Sequence, residues 1–241
     1  MKNDFYNKSI AQKYHWAQQE ELLLLKPYLS IIGKTKNKTI LDIGCGSGWI
    51  TKIIAKNAKK IIGIDTSSSL IKIAKDENSQ KNIEYKVLDA EKINQFKNKF
   101  NIIISALTFQ LIIPQKKLLN VLKKCNLKLK KNGNLVILVP HPCFINQNKR
   151  KYNKYIVKKN FNYFINPQEY IVKLKSKKGA LQFKTNFYNL ETFSTSFKKA
   201  GFIIEEIIEP KVTKNLIAKY PNLWYFELKK PFYIIFNLIK K

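Results

Sequence analysis

The feature that most constrains the fold is an alternation of short apolar runs with amphipathic segments across residues 39–140. Continuous apolar runs of this length are typical of strands buried on both faces of a parallel sheet. The predicted strands are 39–43, 60–64, 83–88, 100–105 and 134–140. The predicted helices between them are 49–58, 69–78 and 115–130. This pattern predicts a doubly wound α/β core with helices on both faces of a mostly parallel sheet.

The chain that precedes this core predicts an N-terminal helical cap over residues 1–38. Apolar side chains recur at helical spacing over residues 8–30, and Pro27 and Gly33 are expected to end that helix. The same reasoning predicts that the Lys-Asn-Gly sequence at 131–133 ends the third core helix.

The chain beyond the fifth strand is expected to complete the sheet after an insertion. Residues 141–185 are rich in aromatic residues, Asn and Lys without a clear period, and we interpret them as a substrate lid. A helix over 190–201 and strands over 202–208 and 232–241 follow, within a C-terminal part spanning 186–241. The sequence therefore predicts a seven-stranded sheet in a single domain of 241 residues.

The net charge of +29 is the strongest compositional signal. Such a charge points to nucleic acid or an anionic membrane surface. However, Arg150 is the sole arginine among 45 basic residues, and sites that grip phosphates favour the planar arginine fork. The lysines are also spread along the chain without a single block, so we interpret most of them as solvated surface.

Cysteine usage and hydropathy indicate a soluble, cytoplasmic protein. The three cysteines, Cys45, Cys125 and Cys143, are widely spaced, which predicts neither a disulfide framework nor a metal site. The N-terminus lacks the apolar core of a signal peptide. The longest apolar stretch, residues 102–113, is too short for a transmembrane segment.

Three of the five aspartates, Asp42, Asp65 and Asp89, stand at or just past the C-terminal ends of predicted strands. Ligands of open parallel α/β sheets bind at those ends, so the three acids are expected along one edge of a ligand site. The alternative is that each acid caps the helix that follows its strand.

A glycine-rich loop, Gly-Cys-Gly-Ser-Gly at residues 44–48, follows the first of these aspartates. A dinucleotide fold requires a third glycine where this chain has Trp49, and the phosphate-binding P-loop pattern is absent. The loop is therefore not built for a pyrophosphate. An acid at the end of the second strand, Asp65, is placed to bind ribose hydroxyls.

Three segments, LDIGCGSG, IGIDTS and YKVLDAEKI, resemble the successive cofactor motifs of class I S-adenosylmethionine-dependent methyltransferases, strongly over residues 39–140 and loosely beyond. The resemblance implies a Rossmann-like methyltransferase fold with S-adenosylmethionine as cofactor. It places Asp42 near the amino-acid portion of the cofactor, Asp65 at the ribose, and Asp89 with the Ala90 backbone at the adenine. The expected cofactor-binding set is Asp42, Gly44, Gly46, Gly48, Asp65, Thr66, Asp89, Ala90, Ser105 and Tyr14.

The LVPHPCF sequence at 138–144 resembles a subgroup of small-molecule methyltransferases with His-Pro after the fifth strand. That subgroup begins its next helix with a Tyr-His-Arg-Thr-Leu-like sequence, where this chain has Phe187 and Tyr188 in place of His and Arg. The acceptor chemistry of the subgroup therefore does not transfer directly. The fourth family motif also departs, because Asn101 replaces an aspartate at the start of a strand, away from the expected site.

Candidate catalytic residues are few, because methyl transfer depends mainly on alignment of the two reactants. His141 follows the fifth strand and is the candidate general base; the alternative is that it only turns the chain, with its ring bonded to backbone. His15 lies beside Tyr14, which is expected to close over the cofactor or simply to pack on the core. Cys45 and Cys143 are interpreted as small packing residues rather than nucleophiles.

These observations predict methyl transfer to a small-molecule acceptor, at oxygen, with nitrogen and carbon as alternatives. RNA methylation is a second hypothesis, which the scarcity of arginine and the SALTFQ sequence at 105–110 disfavour, because no Asn/Asp-Pro-Pro-Tyr motif is present there. A cofactor-binding homologue without turnover is a third.

Overall fold

A seven-stranded sheet forms the centre of the protein in a computed structural model. The described residues are 18–142, 154–157, 162–176, 179–211, 214, 218, 231 and 233–241. The α-helices of this part are α1 (Gln18–Ile32), α2 (Trp49–Ala55), α3 (Ser68–Glu77), α4 (Gln115–Lys128) and α5 (Leu190–Lys199). Two short 3₁₀ helices span Ala90–Gln95 and Phe109–Leu111.

The strands carry the numbers β1 to β10 in chain order. They are β1 (Thr39–Ile43), β2 (Lys60–Asp65), β3 (Ile83–Val87), β4 (Phe100–Ala106), β5 (Leu129–Pro140), β6 (Lys154–Val157), β7 (Gln168–Ser176), β8 (Gly179–Phe187), β9 (Phe202–Ile208) and β10 (Tyr233–Lys240). The central sheet has the spatial order β3–β2–β1–β4–β5–β10–β9. Its first five strands are parallel, and β10 runs antiparallel between β5 and β9. The predicted doubly wound, mostly parallel sheet is confirmed.

Both faces of the sheet are buried, as the continuous apolar runs predict. On one face, Leu41 and Ile103 pack in a cluster that includes Leu122 of α4 and Phe197 of α5. The buried residues of the other face, with those of α1 and α2, are Ile40, Ile104, Val136, Tyr28 and Ile54. Helices therefore cover both faces of the sheet.

The prediction that Pro27 helps to end the first helix is wrong. Pro27 lies inside α1, which continues to Ile32 because Tyr28 and Ile31 are buried against the sheet. Gly33 does end this helix, at a φ of 72° and with its N–H bonded to the Leu29 carbonyl at 3.1 Å. The part of the predicted helix before residue 18 lies outside the described residues.

Residues 131–133 do not end α4, because they lie inside β5. The helix stops at Lys128, and the next residue, Leu129, is fully buried and pairs with Phe100 of β4. A Cβ atom at Gly133 would lie 2.9 Å from the Asn101 carbonyl oxygen. The glycine therefore permits close approach of two strands rather than marking a helix end.

The segment with no clear period contains three antiparallel strands, in the order β6–β7–β8. In β8, Lys184 is exposed whereas Thr185 and Phe187 are buried, which is the alternation of a sheet with one covered face. The Lys- and aromatic-rich composition obscured this alternation in the sequence. The role of the segment as a lid and the division of the chain into cap, core, lid and C-terminal part stay predictions.

No described helix has the length and apolarity needed to cross a membrane.

Candidate functional site

The three aspartates predicted at strand ends lie at the carboxyl ends of three neighbouring strands. Asp42 is the penultimate residue of β1, Asp65 ends β2, and Asp89 follows β3 by two residues. The order β3–β2–β1 places these strands side by side. One edge of the sheet therefore collects most of the aspartates of a strongly basic chain.

The three glycines of the loop share a left-handed backbone, with φ values of 72° at Gly44, 56° at Gly46 and 79° at Gly48. Two of them also make room for neighbouring side chains. A Cβ atom at Gly44 would overlap Thr108, and one at Gly48 would overlap the hydroxyl of Tyr85. At Gly46 no atom lies within 4 Å of that position. Only Gly46 therefore presents bare backbone to open space, where a ligand can approach it.

The loop is fastened to the end of β2. The N–H groups of Gly44 and Cys45 both donate to the Ile64 carbonyl, at 2.7 and 3.0 Å. The Gly46 N–H donates to Oδ2 of Asp65 at 3.0 Å. These three bonds hold the left-handed turn in place beside the acid of the second strand.

Asp65 uses both carboxylate oxygens, because Oδ1 accepts from the Ser67 N–H at 2.9 Å. Burial raises the pKa of Asp65, and the backbone N–H donors oppose that rise. The cap of α3 is Ser67, whose hydroxyl accepts from the Leu70 N–H. The alternative that Asp65 caps the helix is therefore wrong, and Thr66 lies exposed between the two residues.

Asp42 is buried, and its Oδ2 accepts a 2.6 Å hydrogen bond from the Thr51 hydroxyl of α2. Burial raises the pKa of Asp42 to about 7; the Thr51 bond acts in the opposite direction, and the charge of Asp65 adds to the rise. A carboxylate this poorly solvated favours a cationic partner. Thr51 stands on the buried side of a short helix without a distinguishing motif, so the sequence did not reveal this partner.

Asp89 does act as a cap. Its Oδ1 accepts from the Glu91 N–H at 2.8 Å, at the start of the 3₁₀ helix that Ala90 begins. Its Oδ2 lies 3.2 Å from Nζ of Lys117, which also pairs with Glu91 at 3.1 Å. The capping alternative thus holds for one of the three aspartates, and Lys117 is a partner that the sequence did not reveal.

The end of β4 borders the glycine loop. Ser105 is buried, and its hydroxyl donates to the Ile43 carbonyl at 2.8 Å. Leu107 has a φ of 58°, and Thr108 lies with its hydroxyl 3.5 Å from the Gly44 carbonyl. The turn after β4 is therefore packed directly onto the loop, a contact that no sequence spacing indicated.

His141 lies just past the end of β5, buried, with Nε2 2.7 Å from Oε1 of Glu209. Glu209 directly follows β9 and is about half exposed. Nε2 thus faces a carboxylate. Glu209 was missed, although an acid at a strand end is the signal that identified the aspartates.

Among the remaining residues considered from the sequence, Cys45 lies in the described part of the chain and is not activated as a nucleophile. Burial raises the pKa of Cys45 well above its usual range, and the charges of Asp42 and Asp65 add to that effect, which opposes thiolate formation. Tyr14, His15 and Cys143 lie outside the described residues. Among the residues with described positions, no group of three or more His, Cys, Asp or Glu could hold a metal ion.

Phe187 and Tyr188, which replace the His and Arg of the subgroup pattern, are both core residues here. Each is buried, and the Tyr188 hydroxyl donates to the Ile112 carbonyl at 2.9 Å. Asn101 lies at the opposite end of the sheet, where Oδ1 accepts from the backbone N–H of Thr39 at 2.9 Å. Its replacement of aspartate therefore leaves the strand-end edge unaffected, as expected.

Comparisons with known proteins agree with this geometry. Residues 40–133 match a family described as a methyltransferase domain. The ubiquinone biosynthesis O-methyltransferase of Coxiella burnetii is 40% identical over 70 residues, which are 28% of this chain and 30% of that protein. The malonyl-[acyl-carrier protein] O-methyltransferase of Acetivibrio thermocellus is 36% identical over 73 residues, 30% of this chain and 25% of that protein.

A solved S-adenosylmethionine-dependent methyltransferase from Mesorhizobium loti shares the fold over most of both chains. The TM-score is 0.71 at 17% identity, covering 91% of this chain and 99% of that one. By contrast, the sequence matches span less than a third of the two O-methyltransferases' lengths. The family match over residues 40–133 covers the glycine loop and the three aspartates, whereas the likeness of fold extends over most of the chain.

Proposed function

This chain belongs to the class I S-adenosylmethionine-dependent methyltransferases, and from that premise we propose that it methylates a small-molecule acceptor at oxygen. The observation that carries the proposal is Gly46, whose backbone borders open space while its N–H donates to the Asp65 carboxylate at the end of β2. A ligand with a cationic group and hydroxyl groups would satisfy that surface. S-Adenosylmethionine has both, on its amino-acid and ribose portions.

The residues present fit this cofactor. Asp42, desolvated and bonded only by Thr51 among the contacts given above, would hold the ammonium group. Asp65 would hold the ribose hydroxyls, beside exposed Thr66, and the backbone at Ala90 with Asp89 would face the adenine. The remaining predicted contacts are Gly44, Gly48 and Ser105, which shape the loop, and Tyr14 as a covering residue. When bound, the cofactor supplies an electrophilic methyl group on a sulfonium.

The chain's own contribution to the reaction is positioning and proton removal. Alignment of two reactants is worth up to about 7–11 kcal/mol, and a general base adds roughly 10²–10⁴-fold in rate. In this proposal the imidazole of His141 takes the proton of an acceptor hydroxyl. The Glu209 carboxylate at 2.7 Å then compensates the positive charge of the ring.

An oxygen acceptor is favoured by the names of the two relatives, both O-methyltransferases, and by a histidine–carboxylate pair suited to removing a hydroxyl proton. A small acceptor rather than RNA is favoured by the single arginine, Arg150, among 45 basic residues. Nitrogen and carbon acceptors, RNA, and binding without turnover are outcomes that the experiment below separates.

Calorimetry with S-adenosylmethionine and its demethylated product tests the cofactor assignment. We expect Asp65→Ala to weaken cofactor binding at least about tenfold, since the two proposed hydrogen bonds from the ribose hydroxyls to the charged carboxylate are lost. Asp76→Ala, an exposed aspartate on α3, is the matched control and should bind as the parent does. Equal binding by Asp65→Ala and the parent would refute the cofactor site.

The acceptor class is tested with methyl-labelled cofactor and separate metabolite and RNA fractions of a cell extract. We expect the label in the metabolite fraction, in a base-stable ether or a base-labile ester. Label in RNA would contradict the small-molecule proposal. Cofactor binding without label in either fraction would indicate a homologue without turnover.

A further inference from the structure

Two buried polar atoms have no hydrogen-bond partner in the described part of the chain. They are Oε1 of Gln110 and Oγ1 of Thr185, in side chains that are 6% and 3% exposed as whole residues. Buried polar groups are nearly always bonded, because burial without a partner loses the hydrogen bonds that water provides. Each such atom therefore calls for a physical explanation.

The two atoms belong to elements that pack against each other. Gln110 lies in the 3₁₀ helix Phe109–Leu111, and β8 contacts that helix directly. Thr185 lies on the buried face of β8, next to exposed Lys184 on the opposite face. The turn after β4 and the three-stranded sheet therefore meet at one junction, and each of the two contacting elements contributes one of the buried side chains.

This junction also adjoins the proposed cofactor and base positions. Thr108, two residues before Gln110, contacts the Gly44 carbonyl of the glycine loop at 3.5 Å. Leu107 donates its N–H to the Leu138 carbonyl at 2.8 Å, three residues before His141. A molecule bound at the junction would therefore lie near the glycine loop and the C-terminal part of β5.

The hydrogen bonds of Gln110 define what it can bind. Its Nε2 donates to the Leu107 carbonyl at 2.7 Å, which fixes the amide and leaves Oε1, an acceptor. A ligand must therefore bring an O–H or N–H donor, whereas the Thr185 hydroxyl can donate or accept. The neighbouring buried residues Phe109 and Phe187 are aromatic and uncharged. The chemistry favours an uncharged, largely apolar ligand with a polar hydrogen.

We propose that Gln110 and Thr185 form the recognition pair for the methyl acceptor, and that the acceptor is an uncharged apolar molecule bearing an O–H or N–H donor. This inference rests on the proposed methyltransferase function. It extends that function by assigning the residues that select the acceptor, separately from the residues assigned to the cofactor.

Phenol is the simplest probe of this class, and anisole is its matched compound without the donor. Titration of each into protein saturated with S-adenosylhomocysteine, followed by calorimetry or by the melting temperature, gives their relative affinities. We expect phenol to bind at least about tenfold more tightly than anisole, because anisole leaves Gln110 Oε1 unpaired. Equal binding, or no binding of either compound, would overturn the proposal.

Thr185→Val tests the pair without a confounding loss of structure, since the hydroxyl it removes has no hydrogen-bond partner among the described residues. We expect the melting temperature to stay equal or rise, the affinity for S-adenosylhomocysteine to stay unchanged, and the preference for phenol to fall several-fold. Thr195→Val, at a partly buried threonine of α5 whose hydroxyl bonds the Glu191 carbonyl, is the matched control and should keep that preference.

A lower melting temperature with unchanged phenol preference would show that Thr185 is structural and would overturn the pair. Gln110→Leu should abolish the preference; if that variant does not fold, Thr185→Val still decides the test. Failure of S-adenosylhomocysteine to bind the parent protein would instead refute the proposed function, and the phenol and anisole titrations can be repeated on the protein alone.

Discussion

The two halves of the strand-end edge use their polar groups differently. On the β1–β3 side, polar groups are bonded within the fold: Asp42 to Thr51, Asp65 to Gly46 and Ser67, and Asp89 to Lys117. On the side of β4, β5, β8 and β9, the described contacts include the pair of His141 and Glu209, which are 68 residues apart in the chain, and two buried atoms without partners.

In our proposal, the first half is a preformed cofactor site and the second half is complete only when the acceptor binds. Bonds between neighbouring strands and their loop fix the first half before any ligand binds, which lowers the entropic cost of binding. The second half retains hydrogen-bonding capacity that a ligand can use. A cofactor shared across a family suits the first arrangement, and an acceptor particular to one enzyme suits the second.

The largest expected effect is on the β5 side, at the proposed base. His141→Ala should lower kcat about 10²–10⁴-fold on the true acceptor, the range for loss of a general base. Cofactor affinity by calorimetry should stay unchanged, because His141 belongs to the other half of the edge. Glu209→Gln keeps the size of the side chain but removes its charge, so it should lower kcat less than His141→Ala. Full turnover by His141→Ala would remove the functional distinction between the halves.

Asp42 provides the next largest effect, on the preformed side. The pKa of Asp42 in the folded protein, about 7, lies above that of an unfolded aspartate. The Asp42 side chain therefore favours folding below about pH 4, and this contribution to the free energy of unfolding is lost as the pH rises to 7. Over this interval the loss amounts to up to about 4 kcal/mol, from roughly three pKa units at 1.36 kcal/mol each.

Asp42→Asn should therefore raise the free energy of unfolding at pH 8 and flatten its dependence between about pH 4 and 7, as measured by urea titration. Cofactor affinity should fall, since the charge is gone. If the variant is less stable than the parent at pH 8, the carboxylate is not destabilised by burial and the interpretation of Asp42 is wrong.

Within the glycine loop, substitutions of Gly44 and Gly46 are expected to affect stability and cofactor binding to different degrees. Gly44→Ala combines a left-handed backbone with overlap on Thr108 and should lower the free energy of unfolding by about 2–4 kcal/mol. Gly46→Ala has the backbone cost alone, about 1–2 kcal/mol, because nothing lies near its Cβ position.

Urea titration measures these two losses of stability, and calorimetry measures the affinity of each variant for the cofactor. Gly46→Ala should show the larger loss of cofactor affinity relative to its loss of stability, because its methyl group would occupy the open space. Equal ratios in the two variants would mean that Gly46 does not face the ligand.

The smallest effect is expected at Lys117. Its pairs with Asp89 and Glu91 involve side chains that are 31–37% exposed, and pairs of that kind contribute about 0–1 kcal/mol. Lys117→Met should therefore change the free energy of unfolding by less than about 1 kcal/mol in urea titration. A larger loss would show that the β3 end depends on this ion pair.

The sequence by itself determined the doubly wound, mostly parallel sheet and the strand-end positions of Asp42, Asp65 and Asp89. Strand and helix periodicity are local properties, and parallel strands bring their carboxyl ends to one edge whatever the surrounding packing. The glycine loop was equally visible, because its spacing lies within five residues.

Only the tertiary structure decided which partners those residues have. It brought Thr51 to Asp42 and Glu209 to His141, and it buried Gln110 and Thr185 on packed elements far apart in the chain. It also assigned Gly44 and Gly48 to contacts with Thr108 and Tyr85, leaving Gly46 open. Such contacts depend on how whole layers pack, and no local spacing encodes them.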